Sequence, residues 1–198
     1  MKKLFTLAML LVFGAPMHAD DAVAPTNARI DVNGSGIALK AISAPQGGSF
    51  QNITWGKDED RKFSLTGETA PFVDDQWVKS TFTFVAESDG KVSINLMGNW
   101  TPNAAGKKNM DARWVFYDMV TVEGATLQNG DFEKAQDGKP VGWDCTAALY
   151  ITSGGLNGKA MVKAWHNQRC SQVIEVKKGQ TITITINAKK GEFEPAKE

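Results

Sequence analysis

Apolar and polar residues alternate with a period of two along much of this chain, and that period is typical of β-strands with one buried face. The clearest example runs over Trp77–Ala86, where Phe82 and Phe84 lie on one face and Thr81 and Thr83 lie on the other. No window shows the 3.6-residue period of an amphipathic helix. The pattern therefore predicts an all-β protein.

Further strands are predicted wherever the alternation returns between turn residues. They cover two segments within 28–44, then 49–56, 92–96, 114–122, 160–166, 171–176 and 181–187, whereas 100–112 is predicted as a long polar loop. The segments Ser88–Gly90 and Lys177–Gln180 are each predicted to be the turn of a hairpin. Antiparallel strands at such short spacing predict a β-sandwich.

The first 19 residues have the pattern of a signal peptide. Lys2 and Lys3 precede an apolar run that ends at Phe13, and small residues lead to a cleavage point after Ala19. This run is too short to span a bilayer and no later run is long enough, so no membrane insertion is expected. We therefore expect export to the periplasm, the cell surface or the medium, with 20–27 as a flexible lead.

The charge balance argues against nucleic acid as a partner. Removal of Lys2 and Lys3 from the 22 basic residues leaves 20 against 22 acidic ones, and the basic residues form no stripe. Phosphate recognition requires clustered Lys and Arg. We therefore expect no nucleic-acid binding.

Two cysteines, Cys145 and Cys170, remain in a chain that is expected to reach an oxidising compartment. A disulfide between them would stabilise the fold by about 3 to 4 kcal/mol in the chain-entropy model. The alternative is a pair of buried free thiols. We predict the disulfide because no other pairing is available.

The residues needed for common catalytic sites are missing. His166 is the one histidine beyond the signal peptide, which is too few for a His-based zinc site, and no G-x-S-x-G or P-loop motif occurs. The paired carboxylates of 58–60 and 74–75 lie in polar loops with no apolar wall to raise a pKa. We therefore expect a protein that is not an enzyme.

Recognition chemistry is better represented, because the chain has six tryptophans. Sugar rings stack on aromatic faces, and sugar hydroxyls bind planar amides and charged forks. The ligand-binding candidates are those tryptophans that lie near such groups, together with their polar neighbours: Trp55, Trp100, Trp165, Asn167 and Arg169. For each of these tryptophans, burial in the core remains the alternative.

Three stretches resemble a known family. They are 129–143, with NGDFE and P-x-GW; Gly158–Gly191, with a G-Q-T turn; and Trp77–Gly98 followed by Trp114–Gly124, which contains YDMV. They resemble the carbohydrate-binding modules of the cellulase-associated family 4/9 type, over roughly 120 residues. That resemblance implies a jelly-roll β-sandwich of the galactose-binding-like type, and it assigns Trp77, Trp114 and Trp143 to packing.

The order of these stretches differs from the family, because the closing pieces come first and the opening pieces last. One interpretation is a single circularly permuted sandwich over 28–190, with a tail at 191–198. The alternative is a sandwich over 28–125 plus a partial second module over 126–190. The second segment would have too few strands to cover its own apolar face. We therefore favour one permuted domain.

The resemblance also implies a structural calcium ion where the family's first and last strands meet. Asp118 of YDMV and Asp131 and Glu133 of NGDFE occupy those strands here. Carboxylates and backbone carbonyls are the ligands that calcium prefers. Met119 replaces the second Asp of the family pattern, which puts the affinity in doubt.

These features predict an exported, non-catalytic protein that binds a glycan or polysaccharide. The alternative is an envelope or surface protein that uses the same sandwich for protein contacts. A groove that combines exposed Trp with Asn, Gln and Arg would favour the first, whereas a stand-alone module with no enzyme attached favours the second.

Overall fold

A computed structural model describes residues 25–55, 62–103 and 106–194, apart from the side chains of 54–55, 62–63, 103 and 106–109. The strands are β1 (Ala28–Gly34), β2 (Leu39–Ser43), β3 (Ser49–Trp55), β4 (Lys62–Glu68), β5 (Val78–Ala86), β6 (Gly90–Gly98), β7 (Trp100–Asn103), β8 (Gly106–Glu123), β9 (Ala135–Gln136), β10 (Lys139–Pro140), β11 (Tyr150–Ile151), β12 (Met161–Ala164), β13 (Cys170–Val176) and β14 (Thr181–Glu194). One 3-10 turn, Ala147–Leu149, lies between β10 and β11. The predicted signal peptide at 1–19 lies outside the described residues.

The strands form two main antiparallel sheets in a sandwich-like arrangement, which confirms the all-β prediction. One sheet has five strands in the order β13-β6-β1-β4-β3. The other has the order β11-β12-β8-β14-β5-β2, with β7 paired to β8. A small separate hairpin joins β9 to β10.

The apolar faces of the two sheets meet in one hydrophobic core. The alternation predicted from the sequence decides which side chains enter it, because every second residue of a strand points to the same face. The largest fully buried side chains come from both sheets and from the connections between β8 and β11, and they are Tyr117, Phe82, Phe84, Phe132, Ile30, Leu65, Ile94, Leu96, Leu149, Ile174, Ile182 and Ile184. At about 25 cal/mol per Å² of buried apolar surface, this core is the main stabilising contribution.

Both predicted hairpins are wrong. β5 and β6 lie in different sheets, although Ser88–Gly90 connects them, and β13 and β14 are likewise in different sheets. The two connections are arches that cross the end of the sandwich, and they contact one another. The N–H of Lys178 donates to Oδ1 of Asp89 over 2.7 Å.

Strands from the two ends of the chain share both sheets. β13 pairs with β6, and β14 lies between β5 and β8. The C-terminal segment therefore completes sheets that the N-terminal segment begins. The jelly-roll topology and the permuted order of segments stay predictions.

The stretch 127–143 closes the core at the edge of β8. The N–H of Val120 donates to the carbonyl of Gly130 over 2.8 Å, a close approach that leaves no space for a Cβ at residue 130. Phe132 and Trp143 pack with ring centroids 5.0 Å apart, and Trp143 is 5% exposed. Asn129 accepts the Trp143 Nε1–H at its carbonyl. The predicted packing role of Trp143 is therefore confirmed.

Three predicted boundaries differ from the structure. The polar loop expected at 100–112 contains β7 and the start of β8, which pair with each other as antiparallel strands. The tail expected from 191 begins as strand, since β14 continues to Glu194. Residues 25–27 of the expected flexible lead are held by hydrogen bonds, including one from the Phe72 N–H to the Thr26 carbonyl.

Candidate functional site

The outer face of the five-stranded sheet carries a polar groove of about 670 Å³. It arises from the alternation on β1, where burial of Ile30 and Val32 turns Asp31 and Asn33 outward. Its lining residues, which define the polar groove, are Asp31, Asn33, Gly34, Ser35, Gly36, Ser64, Lys91, Ser93, Arg169 and Val173.

The floor of the polar groove is a fixed charge pair. Nε and Nη2 of Arg29 donate to the two carboxylate oxygens of Asp31 over 2.9 and 2.8 Å. Thr66, on the neighbouring strand β4, donates to Oδ1 of Asp31 over 2.9 Å. Both charged side chains are largely buried, at 13% and 14% exposure. This two-point pairing orients Asp31 and neutralises its charge.

Asn95 extends the floor across β6. Its Nδ2 donates to the Asp31 carbonyl over 3.0 Å, and its Oδ1 accepts from the Ser93 hydroxyl over 3.2 Å. From the core side, the buried Tyr117 hydroxyl bonds the carbonyls of Arg29 and Met97, and burial raises the pKa of Tyr117. The floor is therefore held from both sides of the sheet.

Two cations and one apolar residue stand at the rim. Lys91 and Arg169 are exposed, and among the described residues neither forms an ion pair. Val173 is 57% exposed and lies opposite Ser93 in the register between β13 and β6. The rim therefore offers charge and hydrogen-bond donors that are not used within the described fold.

A second concavity of about 460 Å³ adjoins the polar groove and shares Ser93, Arg169 and Val173 with it. Its far wall is the segment that follows β8. Gln128 and Gln172 exchange two hydrogen bonds of 2.7 and 2.9 Å. The same edge of β13 is covered by a backbone bridge between Asp144 and Ser171. This wall fixes the far end of the groove.

The structure separates the residues that the sequence predicted for ligand binding. Of that set, Arg169 lines the polar groove. Trp165 packs on Trp114 with ring centroids 5.0 Å apart and lies beside His166. Neither tryptophan ring is fully buried. Asn167 is exposed in the turn between β12 and β13. Trp165 and Asn167 are therefore not among the described lining residues of the polar groove.

Trp100 is also not among the described lining residues of the groove. Trp100 is 38% exposed on β7, which pairs with β8 in the other sheet. Trp55 ends β3, and its side chain lies outside the described residues. No aromatic residue is among the described lining residues, so the groove offers hydrogen bonds and charge rather than stacking faces.

Sequence reasoning missed the groove residues of β1 and β4, namely Asp31, Asn33 and Ser64. Their signal was the polar half of the alternation, in ARIDVNG and in the short extended segment after residue 62. That signal marks a wet face, but it does not reveal that β1 lies between β4 and β6.

The three carboxylates predicted for calcium fall into two groups. Asp118 accepts the Leu156 N–H over 2.7 Å, and Glu133 accepts the N–H groups of Lys159 and Ala160 over 2.7 and 2.8 Å. Both carboxylates therefore accept hydrogen bonds from the same loop, 155–160. Asp131 is exposed, as Glu133 is, but no hydrogen bond from that loop to Asp131 is described.

Burial raises the pKa of Asp118, hydrogen bonds from the Met119 and Leu156 N–H groups oppose that shift, and the nearby charge of Glu133 adds to it. Among the residues that the structure describes, no lysine or arginine forms an ion pair with either carboxylate.

Cys145 and Cys170 are free and buried in this structure, so the predicted disulfide is not formed. The thiols lie close enough to interact. Their mutual hydrogen bond lowers the pKa of Cys145 and, together with burial, raises the pKa of Cys170. Cys145 is therefore the more acidic of the two thiols.

Within the described ranges, no three His, Cys, Asp or Glu side chains cluster as a metal site, and no helix is long and apolar enough to cross a membrane. Comparisons with protein-family models, with curated proteins and with solved structures each gave no match.

Proposed function

We propose that this protein is a non-catalytic glycan-binding protein whose ligand lies in the polar groove. The observation that carries the proposal is the groove itself, where Asn33, Ser93, Lys91 and Arg169 surround one cavity on a rigid sheet. Amides, hydroxyls and charged forks are the groups that bind sugar hydroxyls. A floor fixed by the Arg29 and Asp31 pair supports such recognition, because little order must be gained on binding.

The jelly-roll fold, the single permuted domain, export and the resemblance to family 4/9 carbohydrate-binding modules belong to the same proposal. The pairing of β13 and β14 with earlier strands supports the single domain. The absence of an aromatic among the described lining residues changes the expected mode of binding. The sugar would be held mainly by hydrogen bonds and charge rather than by Trp100 or Trp165.

The proposal is tested by a substitution that fills the groove with a large side chain and removes no hydrogen-bonding group. Val173→Trp places a large ring between the two concavities, and exposed strand positions accommodate tryptophan. Val73→Trp is the matched control, because Val73 is also 57% exposed and does not line the groove. Glycan-array signal and retention on insoluble polysaccharides are measured for the native chain and both variants.

We expect Val173→Trp to abolish glycan retention and Val73→Trp to retain glycan like the native chain. The melting temperatures of both variants should stay near the native value. Retention that survives Val173→Trp would move the site elsewhere. An absence of any retained glycan by the native chain would overturn the proposal in favour of a surface protein that makes protein contacts.

We also propose that Asp118 and Glu133 hold a calcium ion, with carbonyl groups of loop 155–160 as further ligands. Two neighbouring carboxylates that accept N–H groups of one glycine-containing loop fit a hard cation that takes several oxygens. The ion would stabilise the fold by mass action, so millimolar calcium should raise the melting temperature above that in EDTA. Glu133→Gln should remove this shift, and Asp131→Asn should preserve it. Identical curves in calcium and EDTA would exclude the ion.

A further inference from the structure

We infer that the polar groove selects an acidic saccharide, one that carries carboxylate or sulfate groups. This inference rests on the proposed glycan-binding function and names its ligand class. It starts from the charges around the cavity, which do not cancel. Asp31 is paired with Arg29 in the floor, whereas Lys91 and Arg169 face the cavity with no described ion-pair partner.

The positions of the two cations fit an extended ligand. Lys91 lies near the start of β6, and Arg169 directly precedes Cys170, which pairs with Leu96 near the end of that strand. Five residues of strand separate Lys91 from Leu96, about 17 Å at the usual rise. The two side chains therefore reach over the groove from opposite ends of β6, and an oligomer with several anionic groups can meet both.

Among the described residues, two further carboxylates lie near these cations without forming an ion pair with them. Glu175 is the partner of Lys91 in the strand register, but it does not line the groove and forms no described ion pair. Asp144 lines the second concavity, on the far side of Arg169. The described lining residues therefore include two cations without a described ion-pair partner and one carboxylate, that of Asp31, which is paired with Arg29. Guanidinium groups bind carboxylate and sulfate with two parallel hydrogen bonds, whereas an ammonium acts as a point charge.

The experiment compares charged glycans with matched neutral ones by affinity electrophoresis and calorimetry. Polygalacturonate is paired with its methyl ester, and dextran sulfate with dextran. The native chain should bind at least one charged member about tenfold or more tightly than its neutral partner, since a hydrogen bond to a charged group contributes about 1.5 to 3 kcal/mol. Preference for polygalacturonate over its methyl ester would assign carboxylate as the recognised group. Preference for dextran sulfate over dextran would assign sulfate. Raised salt should weaken the binding.

Three variants separate the groove from general charge. Arg169→Gln and Lys91→Gln should each weaken binding of the charged glycan about tenfold. Lys79→Gln removes the same charge from an exposed strand position outside the groove, and it should bind like the native chain. An equal loss in all three variants would assign the binding to net charge and overturn the inference.

Two other outcomes separate this inference from the proposed function. Equal binding of charged and neutral partners, both lost in Val173→Trp, would overturn acidic selectivity and leave glycan binding in place. An absence of binding to any of the four polymers, together with an empty glycan array, would overturn both.

Discussion

The two outer faces of the sandwich are both polar, but they use their polar groups differently. On the five-stranded sheet, Arg29, Asp31 and Asn95 form a largely buried network below a cavity, and the rim cations Lys91 and Arg169 form no ion pair among the described residues. On the other sheet, hydroxyls pair with one another. Thr81 and Thr185 lie 3.1 Å apart, and Thr83 and Thr183 lie 3.2 Å apart, measured between their Oγ1 atoms.

This difference separates recognition from simple solvation. A threonine ladder satisfies its own hydrogen bonds and leaves a flat surface, so a ligand gains little by displacing water from it. A fixed charge network below a cavity has a different effect, because the side chains at the rim can still bond a ligand. The same two-residue period therefore produces one inert face and one candidate site. The following predictions test that distinction, beginning with the largest effect.

The two faces should belong to one cooperative unit. Residues 127–198 expressed alone should not fold, because the apolar face of β14 needs β5 and β8 beside it and the other sheet above it. Circular dichroism and thermal melting measure this, with the whole chain as the control. A sharp cooperative transition in the fragment would show instead that the C-terminal segment is an independent module.

Oxidation of Cys145 and Cys170 should raise stability by less than the roughly 3 to 4 kcal/mol of the chain-entropy model, because the two thiols are free in this structure and must be drawn together before they can bond. Oxidised glutathione takes two electrons and two protons from the thiols and is itself reduced to two thiols, while the sulfur–sulfur bond forms. Urea unfolding of the oxidised and reduced chain, with mass spectrometry of the product, tests this. Cys145→Ser is the control that must show no oxidation effect. Unchanged midpoints after confirmed oxidation would contradict the prediction.

Loss of the floor carboxylate should destabilise the chain by about 2 to 3 kcal/mol in Asp31→Ala, measured by urea unfolding. The reason is that Arg29 would then be a largely buried charge without its acceptor. A double variant, Asp31→Ala with Arg29→Ala, removes both charges and should recover part of the loss. A loss below about 0.5 kcal/mol for Asp31→Ala would mean that water replaces the pair without penalty.

The same measurement on the threonine face should give a much smaller effect. Thr185→Val keeps the shape of the side chain and removes one hydroxyl from a partly exposed pair with Thr81, so the expected change is about 1 kcal/mol or less. Glycan binding should be unchanged. If Thr185→Val destabilised the chain as much as Asp31→Ala, the two faces would not differ in the way described above.

The smallest effect should come from His166, whose Nδ1 is buried with no described hydrogen-bond partner. Burial lowers the pKa of His166 below its ordinary 6.5, so the folded state binds fewer protons than the unfolded chain. Stability should therefore be lost as pH falls from 6.5 through the lowered pKa. The difference in melting temperature between pH 7.5 and pH 5.5 should be smaller for His166→Phe than for the native chain. An unchanged difference would assign the pH dependence to other groups.

The sequence predicted the strands well because each strand carries its own alternation. Phe82 and Phe84 are buried and Thr81 and Thr83 face outward, as the pattern indicated. It did not predict the connections, because an arch and a hairpin have the same period and the same turn residues. Whether Asp89 joins two strands of one sheet or of two depends on the packing of the whole core.

The candidate site was harder to predict for a related reason. The network of the floor joins Asp31 to Thr66 and to Asn95, which are distant in sequence. Pairings at such separation follow from strand order, and one sequence does not contain that order. The tryptophan hypothesis used local neighbours instead, and it grouped Trp165 with Arg169 although the structure puts Trp165 against Trp114.

The central position of β14 has a consequence for the folding pathway. β5 and β8 are synthesised before β14, and they have no direct pairing with each other across the gap that β14 fills. Until β14 arrives, two apolar strands present unpaired edges, which are the surfaces on which aggregation starts. Closure joins residues about 100 positions apart, such as Thr83 and Thr183, so the rate-limiting step should be slow and late. The nascent chain would then benefit from a chaperone or holding factor until its final strand is inserted.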